Sequence, residues 1–269
     1  MTTAAAVAAA LTTGFTSQAQ ATSIVTLDYE SYVGGSIKTN FGNRSAGLIR
    51  WTQDAGAVPD VHFTDITKGN GTVSGFLAFC IEAFESVNTA PSQYAVLEAE
   101  QMPNNNVGGP NPNPMGAIRA DNLGKLFAVG FLGTDEDDWK VNGSFDVNYI
   151  KAFQLAVWEV VNEAVVQGMQ TLNIMQSNTS DRGDFYSRYG SSHVIATTAQ
   201  NLLDQAMVAD AGVELIGFGS PFESLTARIQ DQITVRKPSG PPPVVPTPTA
   251  AGAGLLGLGA LVARRRAKA

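Results

Sequence analysis

The chain has a single cysteine, Cys80, only two histidines, His62 and His193, and no lysine or arginine before Lys38. One cysteine excludes an intramolecular disulfide, and one Cys with two His falls short of the ligand set of a structural zinc site. No metal or other cofactor is expected. Cations are scarce as well: 17 Lys and Arg stand against 24 Asp and Glu, a net charge of −7. Four of those cations, Arg264, Arg265, Arg266 and Lys268, lie in the last six residues, and without them 13 basic residues face 24 acidic ones, or −11. A surface of that sign argues against nucleic acid or an anionic membrane face as partner. With 44% apolar residues and 15% charge, disorder is excluded, and the length suffices for a full core in one domain or two closely joined ones.

The two ends read as addresses rather than as fold. Ala4–Leu11 is an apolar run, and Ala19-Gln20-Ala21 is a small-x-small cleavage site, so residues 1–21 are expected to be a signal peptide. The basic start that usually precedes such a run is missing, which leaves room for a start upstream. Residues 237–249 form a Pro-rich, extended spacer. Ala250–Ala263 is an uninterrupted run of small and apolar residues closed by Arg264-Arg265-Arg266. As a helix it spans roughly 21 Å against about 30 Å of hydrocarbon, a poor permanent anchor. The arginines fit the positive-inside rule. Spacer, weak anchor and basic stop together read as a processing signal with transient inner-membrane anchoring.

Between them, residues 22–236 read as one globular domain. Ser23–Tyr29, Ser36–Phe41, Ala46–Thr52 and Val61–Thr67 are β-branched or aromatic runs broken by Gly, Asn and Asp. Gly75–Phe84 is apolar on both faces, as a central strand is, with Cys80 near its end; Tyr94–Glu100 is a further strand. Gln101–Pro114 is an Asn/Pro/Gly loop. Helical periodicity then takes over in Met115–Leu132, in Asp146–Val166 and in Ser192–Ala209, with Thr179–Gly190 a loop expected to cover the site. Val213–Phe218 and Leu225–Val235 return to strand character. The pattern predicts an α+β fold, a β-sandwich or barrel-like sheet with an inserted helical subdomain.

The most informative stretch is Ala152–Glu159. At 100° per residue, Val147, Ile150, Phe153, Val157, Val161 and Ala164 share one helix face, and Gln154 lies on that stripe. Its amide therefore points at the core, where an unsatisfied amide is unfavourable by about 1–3 kcal/mol, so it needs a dedicated partner. That partner is either a hydrogen bond or the Cys80 thiol, to which the carboxamide loses ammonia in forming an internal thioester. Cys80 itself admits three readings: a small buried hydrophobe, a link to another chain, or a reactive group. Two other chemistries compete with these. A Cys80–His193 hydrolase dyad lacks a nucleophile motif around Cys80, and a histidine near a helix start is usually structural. The run Asp135-Glu136-Asp137-Asp138 has hard oxygens suited to calcium but not EF-hand spacing, and is expected to be a solvated acidic turn.

Two resemblances sharpen these expectations. Val245-Pro246-Thr247-Pro248-Thr249, the apolar run and Arg264–Arg266 resemble the PEP-CTERM class of bacterial sorting signals, with Thr247-Pro248 where Glu-Pro is typical. The resemblance implies export, cleavage by an exosortase-type transpeptidase, and release or attachment at the cell surface. Phe79-Cys80-Ile81-Glu82 and Phe153-Gln154-Leu155-Ala156-Val157-Trp158 resemble the two motifs of the thioester domains of bacterial surface adhesins, with Phe153 where Thr is usual. That resemblance implies that Cys80 supplies the sulfur and Gln154 the acyl carbon of a thioester, which a surface amine of a target attacks, and that the chain is not an enzyme. Phe79 and Trp158 are then candidates for shielding the bond from water, besides being ordinary core. The rival reading is a non-covalent surface or matrix protein of the same fold.

Overall fold

The computed structural model describes residues 23–55, 61–68, 71–83, 87–104, 113–132, 135–175, 185–219 and 230–238. The signal segment 1–21, the anchor 250–269 and the sorting residues Val245, Pro246, Pro248 and Arg264–Arg266 lie outside the described residues. Among the described residues no helix is long and apolar enough to cross a membrane.

Six antiparallel strands close into a barrel: β1 (Ile24–Thr39), β2 (Gly42–Ala55), β4 (Gly71–Cys80), β5 (Ser92–Glu98), β6 (Leu215–Gly219) and β7 (Gln232–Val235). The order around the ring is β7-β6-β5-β1-β2-β4, and β4 pairs back onto β7. That closure decides between the two expected sheet types in favour of the barrel, and it removes the free edges an open sheet would leave. β3 (Thr64–Lys68) pairs with the N-terminal half of β4. Among the described residues three α-helices, α1 (Gly116–Gly130), α2 (Val147–Asn162) and α3 (Val194–Met207), fall between β5 and β6 in sequence.

The strand boundaries differ from expectation in an instructive way. Ser23–Tyr29 and Ser36–Phe41 are not two strands but one, since β1 runs continuously from Ile24 to Thr39. Gly34-Gly35 looks like punctuation but marks a close approach. Gly34 faces Gly47 across the β1–β2 pair, and a Cβ on Gly34 would meet the Ala46 carbonyl oxygen at 2.1 Å. β4 starts earlier than expected and ends at Cys80 rather than Phe84. It is buried on both faces from Gly75 to Cys80, with the barrel lumen on one side and the helices on the other. Into the lumen point Phe76, Trp51, Tyr94 and Phe218; the Phe76 and Phe218 rings lie 5.1 Å apart and those of Trp51 and Tyr94 5.5 Å.

α2 is shorter than the periodicity suggests. Asp146 caps its start, accepting the Tyr149 N–H. It stops at Asn162 because Val165-Val166 pairs with Met169-Gln170 around Gln167 and Gly168, both at positive φ. Gln170 then closes the helix end, its Nε2 donating to the carbonyls of Val160 and Glu163. Nor is the burial confined to one stripe: every residue from Ala152 to Asn162 is buried, because α2 packs against β1, β2 and β4 as well as between α1 and α3. Of the expected covering loop, residues 185–190 are described, and 185–189 run along the tip of the β1–β2 hairpin. Arg188 N–H donates to Lys38 and Asn40 N–H to Tyr186.

Candidate functional site

Cys80 is the last residue of β4, at the point where β2 stops pairing with that strand. The ladder between them runs from Thr52–Gly75 to Leu48–Phe79. Ile81 donates its N–H to the Asp231 carbonyl beside β7. In an antiparallel ladder successive residues face opposite neighbours, so the N–H and C=O of Cys80 face the other way, towards the vacated side. The carboxamide of Gln154 fills that place. Its Nε2 donates to the Cys80 carbonyl at 2.6 Å, and the Cys80 N–H donates to its Oε1 at 3.1 Å. A primary amide carries the same donor and acceptor as a peptide unit, so Gln154 continues the ladder as a surrogate strand. The dedicated partner expected for Gln154 is thus the backbone of Cys80, 74 residues away in sequence. Gln154 is fully buried and Cys80 is 3% exposed.

The cysteine side chain shares the lumen face of β4 with Phe76 and Ala78, as strand alternation requires. Burial pushes the Cys80 thiol up to about 12, opposed by a hydrogen bond from Gln232 and reinforced by the Glu82 carboxylate. Gln232 Nε2 donates to Cys80 Sγ at 3.7 Å. Glu82 is itself buried and accepts the Asp231 N–H, while Gln230 donates to the Glu82 carbonyl. Cys80 also borders a cleft of 350 Å³ whose wall includes Tyr29, Tyr32, Asn43, Arg44, Ser45 and Gln230. The thiol is thus almost wholly enclosed yet has one side towards a space a small nucleophile can enter.

The remaining sequence candidates fall around this pair in distinct ways. Phe79 lies on the opposite face of β4 from Cys80 and packs among Phe153, Trp139 and Phe127 of the helical layer. Trp158 is fully buried on α2, edge-on to Phe185 of the 185–189 segment. His193 caps α3, its Nδ1 accepting the Ile195 N–H, and its ring stacks on Tyr189 at 4.0 Å, the structural role expected of a histidine at a helix start. The acidic run is not uniformly solvated. Asp137 and Asp138 are exposed, but Glu136 is buried and paired with Arg50 at 2.6 Å and Lys140 at 3.0 Å. It anchors the segment to β2; Lys140 is a local i,i+4 partner, and only the fold supplies Arg50. A cleft of 600 Å³ beside this run is lined by residues of β3, β4 and the acidic turn, and contains neither Cys80 nor Gln154. No group of three or more His, Cys, Asp or Glu placed to hold a metal ion occurs among the described residues.

Sequence reasoning missed Gln230 and Gln232. The available signal was their spacing of two within a strand run, which puts both on one face, but only ring closure shows that this face meets Cys80. Comparison with known protein families finds no match, and neither do comparisons with curated proteins and with solved structures.

Proposed function

We propose that this is an exported surface protein in which Cys80 and Gln154 form an internal thioester that joins the chain covalently to an amine-bearing target. The observation that carries the reading is the Gln154 carboxamide held by both hydrogen bonds to the backbone of the only cysteine. Two unrelated elements, a helix and a barrel strand, bring these groups together. The Cys80 N–H on Oε1 polarises the amide carbonyl, as a donor aimed at a developing oxyanion does.

The chemistry balances in two steps. The thiol adds to the Gln154 carbonyl carbon and ammonia leaves with the thiol proton, giving the thioester. An amine then adds to the same carbon, the C–S bond breaks, and the products are a secondary amide on Gln154 and a free Cys80 thiol. Each molecule reacts once, so the function is capture and not turnover. Enclosure matters because water competes for the same carbon. Phe79 and Trp158 close the site from the helical side. The helices act as a subdomain that presents Gln154 to the barrel. Export, processing by an exosortase-type enzyme and a destination at the cell surface, outer envelope or extracellular matrix rest on residues 1–21 and 237–269 of the sequence. Nucleic acid is not a partner in this reading.

A second reading draws on the same observation. Both ends of the Gln154 amide are satisfied by Cys80, so a non-covalent surface or matrix protein can use Gln154 purely as a bracket between α2 and β4. Intact mass separates the two. A thioester makes the chain lighter than its sequence by one ammonia, methylamine then adds its full mass and frees one titratable thiol, and Cys80→Ala does neither. A mass equal to that of the sequence, with no methylamine uptake, rejects the covalent reading in favour of the bracket.

A further inference from the structure

The protein is acidic overall, with 24 Asp and Glu against 17 Lys and Arg, yet one exposed face beside the Cys80 cleft is cationic. In the β1–β2 pair Lys38 stands opposite Asn43, and Ser36 opposite Ser45. Along the other edge of β1, Thr39 bridges Ser187, and the Arg188 N–H donates to the Lys38 carbonyl at 2.8 Å. That register sets Arg188 directly opposite Lys38, and residues so paired point their side chains to the same face. Arg188, Lys38 and Asn43 thus form one row across three neighbouring segments, and all three are exposed. Asn43 and Ser45 also line the cleft that Cys80 borders. The row therefore leads outward from that cleft, covering about 10 Å at one strand spacing per step.

Like charges directly opposite each other destabilise a strand pair, so the fold gains nothing from Lys38 beside Arg188. Neither takes an ion pair within the described residues. We infer that the row docks an acidic polypeptide segment of the target, whose carboxylates meet Lys38 and Arg188 while its lysine enters the cleft. The inference names the class of target for the thioester reading above and rests on that reading. A polypeptide carries amine and carboxylates on one strand at the required spacing: extended, it rises about 3.3 Å per residue, so acids two or three residues from the lysine reach the row. The acidic remainder of the surface repels such a segment and leaves it this approach. Once docked, the lysine nitrogen bonds to the Gln154 carbonyl carbon, the C–S bond breaks, and the proton released by the amine ends on the sulfur. Lys38 and Arg188 take no part in that exchange; they raise the concentration of the fitting amine at the cleft.

The test uses the full chain and two short peptides blocked at both ends, each with one central lysine, flanked by aspartates in one and by serines in the other. Intact mass follows capture. The expected result at low salt is capture of the aspartate peptide about tenfold faster than the serine peptide, a preference lost at about 1 M salt. Methylamine uptake shows no such salt dependence. The double variant Lys38→Ser with Arg188→Ser takes up methylamine at the wild-type rate and captures the two peptides at equal rates. If it does not fold, the salt dependence of the wild type decides. An ammonia-light wild type with no preference between the peptides, or a variant that keeps the preference, overturns the inference alone. A variant slowed equally with methylamine also overturns it, placing the cations in the chemistry and not in docking. Retention of the wild type by a uronic-acid polysaccharide, without peptide preference, overturns it in favour of a glycan. A wild type of full mass overturns it together with the thioester.

Discussion

Phe79 and Phe153, the residues immediately before Cys80 and Gln154, pack with ring centroids 4.7 Å apart. The two motifs are therefore joined twice, once through the polar pair and once through the aromatic pair that precedes it. Phe153 also lies against Gly130 of α1, where a Cβ would meet its ring at 2.7 Å. Phe153→Ala is expected to lower stability by about 3–5 kcal/mol, the usual loss for a fully buried phenylalanine. Urea denaturation with an unchanged slope would show it; a loss below about 1 kcal/mol would mean the rings do not hold the motifs together.

Glu159, five residues beyond Gln154 on α2, is fully buried, and its Oε1 accepts the Asn173 N–H while Oε2 has no partner. Burial, with the nearby Glu163 carboxylate, holds its carboxyl well above the usual range. A folded state that retains this proton is favoured at low pH, and the unfolded chain releases it at about pH 4.3. The contribution to stability is thus full below that value and lost as pH rises towards the raised folded value. Glu159→Gln is expected to remove the loss, making the variant more stable than wild type at pH 7 and equal to it at pH 4. Thermal melts at the two pH values check the sign.

Glu136 joins the acidic turn to the buried Arg50 of β2. Glu136→Ala deprives a mostly buried guanidinium of its carboxylate, and is expected to destabilise by about 3 kcal/mol. Asp137→Ala, one residue on and exposed, is expected to change stability by less than about 1 kcal/mol. Equal effects of the two would contradict the anchoring role.

Gly47 approaches β1 so closely that a Cβ would meet the Val33 carbonyl oxygen at 2.1 Å. Gly47→Ala is expected to separate the strands locally and destabilise by about 1–3 kcal/mol. Gly71→Ala, where the nearest atom lies at 3.9 Å, serves as the neutral control in the same denaturation series.

Much of this was readable from residue order because the signals were local. β-branched and aromatic runs marked the strands, Asp146 marked the start of α2, and the helical stripe aimed Gln154 inward. What escaped was long-range. Gly34-Gly35 mimics a turn unless Gly47 is seen opposite. Gln167-Gly168 turns the chain with a residue, Gln167, that carries no turn preference, so α2 looked longer than it is. Glu136 finds Arg50 across 86 residues, and Gln232 finds Cys80 across 152, separations at which sequence alone gives no register.

The barrel closes through the pairs Gln232–Cys80 and Ile233–Phe79, with Thr234 Oγ1 tied to the Leu77 carbonyl at 2.7 Å. The ring is therefore fastened at the same residue that holds the sulfur. A cylinder opens at a join, so parting β4 from β7 would also part Gln232 from the sulfur of Cys80.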